Sequence, residues 1–301
     1  MNNLAPIALF VYNRPKHTRE TVEALLKNAE AKHSDLYIFS DAPKNDSAKE
    51  AVAEVRNYIN QISGFKTIKI VERSSNLGLA NSVIDGVTRL CNEFGSVIVL
   101  EDDLIVSTHF LDFMNQALTR YEERSEVSAI SGYMYPVSFK TKSDTIFLDF
   151  PMSWGWATWQ RAWKSFNPDG KQLIDELCLN GKINDFDRNG PPGCLTMLKH
   201  QIAGKNNSWF IRWYATIFLD SKIVLCPTKS LVLNIGIDGT GVHCGEWIID
   251  PFKTDLSTGK INVEHIKIEV SEEKNIIRHF FVKVFLLRYL NAFARLFSLN
   301  R

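Results

Sequence analysis

Three consecutive carboxylates, Glu101, Asp102 and Asp103, follow directly on an apolar run at residues 97–100. Adjacent negative charges repel one another, and acidic side chains are rarely buried without a partner. Hard dications such as Mg²⁺ and Mn²⁺ take oxygen ligands, and they are commonly held by one or two carboxylates together with substrate phosphates. The triplet therefore predicts metal-assisted handling of a diphosphate, with a solvated acidic turn as the alternative.

Polar residues also follow the other apolar runs in the first hundred residues. These runs lie at 7–11, 36–39, 68–71 and 97–100, with helical patterns between them, so they predict a parallel sheet covered by helices. Ligands of open α/β sheets bind beyond the carboxyl ends of the strands. The residues expected at that edge are Tyr12, Asn13, Arg14, Asp41, Arg73, Asn76, Gly78, Glu101, Asp102 and Asp103. Each of these turns taken alone could equally be structural, since Asn, Asp and Gly favour turns anyway.

Length and composition limit the classes of protein that remain. The chain has 301 residues, 45% of them hydrophobic and 23% charged, which is enough for one large or two small domains. Its net charge of +1 argues against broad nucleic-acid binding, and the sequence contains neither a Gly-x-Gly-x-x-Gly nor a Walker A motif. Five scattered cysteines indicate reduced thiols. We see no signal peptide and no apolar run long enough to span a bilayer, so we expect a cytoplasmic protein, soluble or peripheral on the inner membrane face.

The second half of the chain is rich in aromatic residues. Trp156, Trp159 and Trp163 are spaced as one helical face, which favours core packing. Trp154 beside Gly155 could instead offer a flat indole wall to a sugar ring, with its N–H as a donor. We therefore expect the acceptor to lie near residues 154–156.

Two later segments have distinct patterns. Residues 234–245 are glycine-rich, so their backbone could approach phosphates or form a mobile lid. Residues 251–272 predict a hairpin or linker, and from Lys274 onward the chain has no acid. The basic residues of this tail are Lys274, Arg278, Lys283, Arg288, Arg295 and Arg301. Set among apolar residues, they resemble an interfacial helix on an anionic membrane, the alternative being a helix docked on the body or on a second subunit.

Residues 12–15 and 101–103 resemble the GT-A glycosyltransferases, which use nucleotide-sugar donors. More narrowly, the chain resembles the family of N-acetylglucosaminyltransferase I from about residue 6 to 245, and bacterial sugar transferases of surface-polysaccharide gene clusters. The segments that carry the narrower resemblance are Asn13-Arg14, Ser40-Asp41, residues 99–104, residues 150–163 and residues 239–245.

The resemblance implies a Rossmann-like GT-A fold, an α/β architecture whose mostly parallel sheet is flanked by helices. Residues 1–125 would form the nucleotide-sugar-binding half, and 126–250 the aromatic-rich acceptor-side half of the same domain. Residues 251–301 would form a linker and a basic, apolar C-terminal helix.

The resemblance also implies roles for the site residues. Arg14 and Asp41 would contact the nucleotide, and Asp103 would bind Mn²⁺ or Mg²⁺ directly. Glu101 and Asp102 would hold the ribose or sugar and water molecules. His243 is a further candidate metal ligand, with a structural role as the alternative.

The chain departs from these relatives at the catalytic base. They carry an acid just before the tryptophan that aligns with Trp213, whereas this chain has Ile211 and Arg212 there. The candidates for the base are therefore Asp238, in the glycine-rich loop, and Asp149. Arg212 could assist the diphosphate or form a structural salt bridge.

Together these features predict a metal-dependent glycosyltransferase. It would move a sugar from a nucleotide diphosphate donor, UDP-linked, to a hydroxyl of a glycan or lipid-linked glycan in surface-polysaccharide biosynthesis, with inversion. A sugar nucleotidyltransferase and a non-catalytic carbohydrate-binding or scaffold protein on the same frame remain as alternatives.

Overall fold

The computed structural model describes residues 4–189, 191, 193–238, 250–264 and 266–298. The strands, in chain order, are β1 (Ile7–Val11), β2 (Asp35–Ser40), β3 (Thr67–Glu72), β4 (Ser96–Glu101), β5 (Leu104–Val106), β6 (Val127–Ser131), β7 (Thr145–Leu148), β8 (Trp156–Trp159), β9 (Ile223–Pro227) and β10 (Val232–Asn234). The helices are α1 (Pro15–Leu26), α2 (Lys49–Ile59), α3 (Gly78–Phe94), α4 (Phe110–Arg120), α5 (Gln160–Trp163), α6 (Gly170–Leu179), α7 (Ile183–Asn189), α8 (Cys194–Ile202), α9 (Trp209–Leu219) and α10 (Lys274–Ser298).

Four parallel strands form the first half of the main sheet, in the order β3-β2-β1-β4. β1 is buried along its whole length, as expected for an apolar strand covered on both faces. Its register pairs Ile7 with Leu36 of β2 and with Ile98 of β4, so the three carboxyl ends lie level at one edge. The four strands predicted for this half are confirmed.

The same sheet continues beyond β4 through β8, β6, β9 and β7, but here the strand directions are mixed. β8 runs antiparallel to both of its neighbours, and β7 runs antiparallel to β9 at the outer edge. The prediction that Trp156, Trp159 and Trp163 share one helical face is wrong, because residues 156–159 form β8, which pairs with β4 on one side and β6 on the other. All three indoles are nevertheless buried, so their predicted core packing is confirmed.

A small second sheet lies next to the acidic triplet. β5 follows that triplet directly and pairs antiparallel with β10, with Leu104 opposite Asn234. The backbone N–H of Ile235 then donates to the carbonyl oxygen of Asp103 at 2.9 Å. This pairing brings the start of the glycine-rich loop onto the acidic turn, although the two segments are more than 130 residues apart in the chain.

The first turns of α10 dock on the body of the protein. Ile277, Phe281 and Val284 are buried, and the ring of Phe281 packs against that of Tyr135 with centroids 4.9 Å apart. The described residues before this helix, 250–264 and 266–273, run without helix or strand. Nowhere in the described ranges is a helix both long and apolar enough to cross a membrane.

Candidate active site

The acidic turn is fixed to the first loop and to α1 by hydrogen bonds. Glu101 ends β4, and Asp102 and Asp103 form the turn into β5. The Tyr12 backbone N–H donates to Asp102 Oδ2 at 3.3 Å. The buried Thr21 hydroxyl donates to the Asp102 carbonyl oxygen at 2.9 Å and accepts from the backbone N–H that follows Asp103 at 3.1 Å. The turn is therefore held in place before any ligand binds.

The three carboxyl groups lack sufficient positive charge nearby. Burial raises the pKa of Glu101 to about 8, and repulsion from Asp103 and Asp102 adds to this effect. Burial and Asp103 likewise raise the pKa of Asp102 to about 7. Burial raises the pKa of Asp103 as well, although the neighbouring Arg14 guanidinium acts in the opposite direction. Such a cluster favours the binding of a cation, which would stabilise all three ionised forms.

Arg14 connects this turn to the glycine-rich loop. One guanidinium nitrogen, Nη1, donates to Asp103 Oδ2 at 2.8 Å. The other, Nη2, lies 3.4 Å from the Gly236 carbonyl oxygen, 3.4 Å from Asp238 Oδ1 and 3.0 Å from His17 Nε2. His17 Nε2 in turn lies 3.1 Å from Asp238 Oδ2. Five residues from three segments thus form one network.

Sequence reasoning missed His17. It lies in the first turn of α1, three residues after Arg14, and residues with this spacing on a helix are neighbours. Its side chain is only 13% exposed. The Arg-x-x-His spacing at the start of a helix that follows the first strand was the signal that could have identified it.

Gly236 makes the closest approach to the acidic turn. A Cβ at this position would lie 2.0 Å from Asp103 Oδ2 and 2.9 Å from Arg14 Nη1. No L side chain fits there while Arg14 and Asp103 stay paired. The loop therefore packs its backbone directly on the predicted metal ligand, and it carries Asp238 into the same site.

Three further predicted residues fix the loop that precedes α3. Asp41 accepts from the backbone N–H groups of Ala42 and Leu77, both at 2.9 Å, and from that of Gly78 at 2.8 Å. The Asn76 amide donates to the Ala42 carbonyl oxygen at 2.7 Å. Asp41 thus caps the start of α3. The nucleotide contacts predicted for Asp41, Asn76 and Gly78 stay predictions.

The remaining donor-side residues lie at the same edge of the sheet. Arg73 forms an ion pair with Asp85, and its guanidinium lies over the Phe39 ring. The Tyr12 hydroxyl accepts from the Lys44 backbone N–H at 2.9 Å. Like the half-buried Asn13, Tyr12 and Arg73 stay predicted nucleotide contacts.

The structure does not bring Asp149 to this site. It follows β7, which lies four strands from β4 and runs in the opposite direction, so its carboxyl end points to the other edge of the sheet. At about 4.8 Å per strand the lateral separation alone is roughly 19 Å. Asp149 instead pairs with Lys274 at 3.2 Å and with Arg278 at 3.8 Å, and so ties α10 to the body.

The predicted acceptor residues are largely core residues. Trp156 is only 2% exposed and stacks on Trp209 with ring centroids 5.1 Å apart. Gly155 is buried too, and a Cβ on it would lie 2.7 Å from Val232. The structure therefore contradicts an acceptor contact for Trp156 and Gly155. Trp154 is half-buried and remains a candidate, with its ring packed edge-on against Tyr133 at 4.6 Å.

Arg212 and His243 were the other two candidates. Arg212 is buried and donates to the carbonyl oxygens of Ser208 and Pro168, at 3.0 and 3.2 Å, and to the side-chain oxygen of Asn207 at 2.9 Å. These bonds give Arg212 a structural role at the start of α9. His243 lies outside the described residues, and within those residues no group of three or more His, Cys, Asp or Glu side chains forms a ready metal cage.

Comparison with known proteins identifies the family. Residues 7–178, more than half of the 301-residue chain, match the family model described as Glycosyl transferase family 2. This match does not confirm the narrower resemblance to the family of N-acetylglucosaminyltransferase I. No curated protein matches the chain.

Two solved structures are similar at 13% sequence identity. The match to TarS of S. aureus includes 75% of this chain and 36% of the TarS chain, with a TM-score of 0.39. This chain therefore spans about a third of the length of TarS. The match to a UDP-glucose pyrophosphorylase complexed with UDP-glucose includes 74% of this chain and 90% of that chain, with a TM-score of 0.36. On the family match, the chain belongs to glycosyl transferase family 2 and is a glycosyltransferase with the GT-A fold.

Proposed function

We propose that this glycosyltransferase moves a sugar from a UDP-sugar to a hydroxyl group of a glycan or lipid-linked glycan, with Mn²⁺ or Mg²⁺ as cofactor. The observation that carries the proposal is the buried acidic turn at the end of β4, where burial and mutual repulsion raise the pKa values of Glu101 and Asp102. The choice of UDP rests on the resemblance of residues 12–15 and 101–103 to enzymes that use nucleotide sugars.

The donor set fits a hard dication. Glu101, Asp102 and Asp103 offer only carboxylate oxygens, the ligands that Mg²⁺ and Mn²⁺ prefer. Such ions are often held by one or two carboxylates together with substrate phosphates, so a site without a complete protein cage is suited to a cation that arrives with the donor.

Each residue of the turn has a separate proposed task. Asp103 holds the metal, and Glu101 and Asp102 hold the ribose or sugar and water molecules around it. The bound metal supplies positive charge that stabilises the departing nucleoside diphosphate. Arg14 already pairs with Asp103 and orients its carboxylate.

Asp238 is the base that we propose for the acceptor hydroxyl. Of the two candidates, it is the one that the structure brings to the acidic turn, through Arg14 and His17. Its side chain is 40% exposed, so a hydroxyl can approach it from solvent. A carboxylate that removes the proton of the attacking hydroxyl fits transfer with inversion, which the resemblance also implies.

Product analysis tests this proposal most directly. The protein is incubated with a panel of nucleotide sugars, with and without Mn²⁺, and the released nucleotide is identified. Slow donor hydrolysis that releases UDP only in the presence of metal is the expected result. Release of pyrophosphate from a nucleoside triphosphate and sugar phosphate would show a nucleotidyltransferase instead. Thermal shift with the same panel ranks the donors, because a ligand that binds the native state raises its melting temperature.

We also propose that α10 contacts an anionic membrane. Val282, Leu286 and Leu287 are 45–59% exposed although they are apolar, and Lys283 lies among them. Apolar side chains with basic neighbours and no acid suit an interface of anionic lipids. Co-sedimentation with vesicles tests this: binding should require anionic lipid and fall when Lys283 and Leu286 are replaced by Glu and Ser. Equal binding to neutral vesicles, or none to either, would contradict it.

A further inference from the structure

We propose that Arg14 and His17 form an anion-binding subsite for the donor diphosphate, and that Asp238 occupies this subsite until the donor displaces it. The inference deepens the proposed function, since it assigns His17 a role and describes how the site opens. It rests on four contacts among these three side chains and the backbone of Gly236.

The first step of the argument concerns charge and direction. Each carboxylate oxygen of Asp238 faces one side-chain nitrogen. Oδ1 lies 3.4 Å from Arg14 Nη2, and Oδ2 lies 3.1 Å from His17 Nε2. In the tautomer that carries its proton on Nε2, His17 donates to Asp238 beside Arg14, and two oxygens of a phosphate can take the same two donors. Asp238 therefore acts as an internal substitute for an external oxyanion.

The second step concerns access to Asp103. Its Oδ2 is covered by Arg14 Nη1 at 2.8 Å and by the backbone of Gly236, where a Cβ would come within 2.0 Å. The Gly236 carbonyl oxygen also accepts from Arg14 Nη2 at 3.4 Å. Residues 236–238 thus cover Arg14, His17 and one carboxylate oxygen of Asp103. A metal–diphosphate complex cannot reach Asp103 Oδ2 in this arrangement unless these residues move.

The third step concerns how firmly the covering segment is held. Ile235, which precedes it, is bonded to the acidic turn through its backbone N–H. Asp238 is 40% exposed, and its described contacts with Arg14 and His17 are with side chains that a diphosphate would also bind. The Asp238 side of both contacts is open to solvent, so a competing anion can approach it. A diphosphate with its metal carries more charge than one carboxylate, so it can replace Asp238 while Ile235 stays in place.

The exchange also links donor binding to the acceptor reaction. As long as Asp238 is paired with Arg14 and His17, each of its oxygens is engaged by one of these side chains. Once the diphosphate takes these partners, the oxygens of Asp238 become available to accept a proton. Donor binding would therefore precede the availability of the base.

The experiment measures binding of UDP, uridine and inorganic pyrophosphate to the full-length protein by calorimetry, with Mn²⁺ present. His17→Ala should weaken UDP and pyrophosphate binding roughly 10-fold and leave uridine binding unchanged, because only the diphosphate meets this subsite. His17→Gln, which keeps an N–H donor, should recover part of the loss. Asp238→Asn should tighten UDP and pyrophosphate binding roughly 10-fold, since the competing carboxylate is gone.

Lys16→Ala is the matched control. Lys16 precedes His17 on the same helix and is 84% exposed, so removal of its charge should leave all three affinities unchanged. Melting temperatures establish that each variant is folded. The inference is overturned if Asp238→Asn leaves diphosphate binding unchanged or weakens it, if His17→Ala weakens uridine binding equally, or if wild-type protein binds no pyrophosphate. Pyrophosphate binding with the expected shifts but without UDP binding would uphold the subsite and refute UDP as the donor nucleotide.

Discussion

The two halves of the main sheet use strand direction differently. In β3-β2-β1-β4 all strands are parallel, so the residues that follow them meet at one edge, and Tyr12, Asp41 and Asp102 lie there together. In β8-β6-β9-β7 the directions are mixed, because β8 and β7 run antiparallel to their neighbours whereas β6 and β9 are parallel to each other, and the residue after β7, Asp149, points to the opposite edge. Polar residues after strands therefore indicate a site only where the strands are parallel.

The largest effect that follows from this contrast is the difference between two aspartates. Asp103→Ala should lower metal-dependent turnover by roughly 100-fold or more, because the proposed ligand of the metal at the departing diphosphate is lost. It should also abolish metal-dependent nucleotide binding while the fold stays intact. Steady-state kinetics and calorimetry with Mn²⁺ measure both losses.

Asp149→Asn is the counterpart in the second half. It removes the ion pairs with Lys274 and Arg278, so it should lower the free energy of unfolding by about 1–2 kcal/mol and leave turnover within a few-fold of wild type. Wild-type activity in Asp103→Ala, or a collapse of activity in a folded Asp149→Asn protein, would reverse the roles that we give to the two halves.

A second comparison separates the tryptophans of the acceptor-side half. Trp156→Ala removes a buried indole that stacks on Trp209, so it should destabilise the protein by about 3–5 kcal/mol. Trp154→Ala removes a half-buried ring and should destabilise it less, while it raises the KM for the acceptor. Urea denaturation and acceptor kinetics measure the two effects. An unchanged KM in the Trp154 variant would leave no acceptor contact among residues 154–156.

The part of the fold that the sequence predicts best is the first half of the main sheet. Apolar runs separated by helical patterns predict parallel strands, and this local pattern was enough to place the acidic turn. The same reasoning could not place the segment at 236–238, because its position depends on β10 pairing with β5, a contact between residues more than 100 positions apart. The contact of His17 with Asp238 depends on the same pairing, so the spacing of Arg14 and His17 alone indicates the residue but not its partner.

In the second half, residue type misled the interpretation. Trp156, Gly155 and Arg212 are types that bind sugars or phosphates, yet each is buried and serves packing or hydrogen bonding. Periodicity was also ambiguous there. Trp156 and Trp159, three residues apart, fit a helix, but they lie at the two ends of a short strand in the middle of the sheet.

Two glycines of the acceptor-side half, one beside the acidic turn and one in the core, sharpen the comparison further. Gly236→Ala would place a Cβ 2.0 Å from Asp103 Oδ2. It should weaken metal–nucleotide binding about 10-fold, with a small change in stability, because the atoms that the Cβ meets are the ends of the Asp103 and Arg14 side chains, which can shift. Gly155→Ala places its Cβ 2.7 Å from Val232 and forces a side chain into a backbone with φ of +59°. That substitution should cost about 1–3 kcal/mol of stability.

Calorimetry for the first glycine variant and thermal unfolding for the second give the measurement. The contrast fails if Gly236→Ala destabilises the protein as much as Gly155→Ala does while its ligand affinity is unchanged.

The last expected effect is a pH dependence of stability that arises from the acidic turn. The pKa of Glu101 is raised from 4.5 to about 8 in the folded protein, so between these values the folded state binds more protons than the unfolded state. The free energy of unfolding contributed by this group is therefore highest at low pH and decreases as the pH rises through about 8. Glu101→Gln mimics the protonated form, so at pH 8 it should be more stable than wild type and have a higher melting temperature.

The difference in melting temperature between wild type and Glu101→Gln should shrink towards pH 5, where the wild-type carboxyl is itself protonated. Asp102 has a pKa raised to about 7, so the stability of the variant should still decrease as the pH rises, although less than that of wild type. A cation bound to the turn would stabilise the ionised carboxyls, so Mn²⁺ should raise the wild-type melting temperature more at pH 8 than at pH 5. A constant difference across this range would mean that Glu101 is already compensated, and the acidic turn would then have no need of a metal.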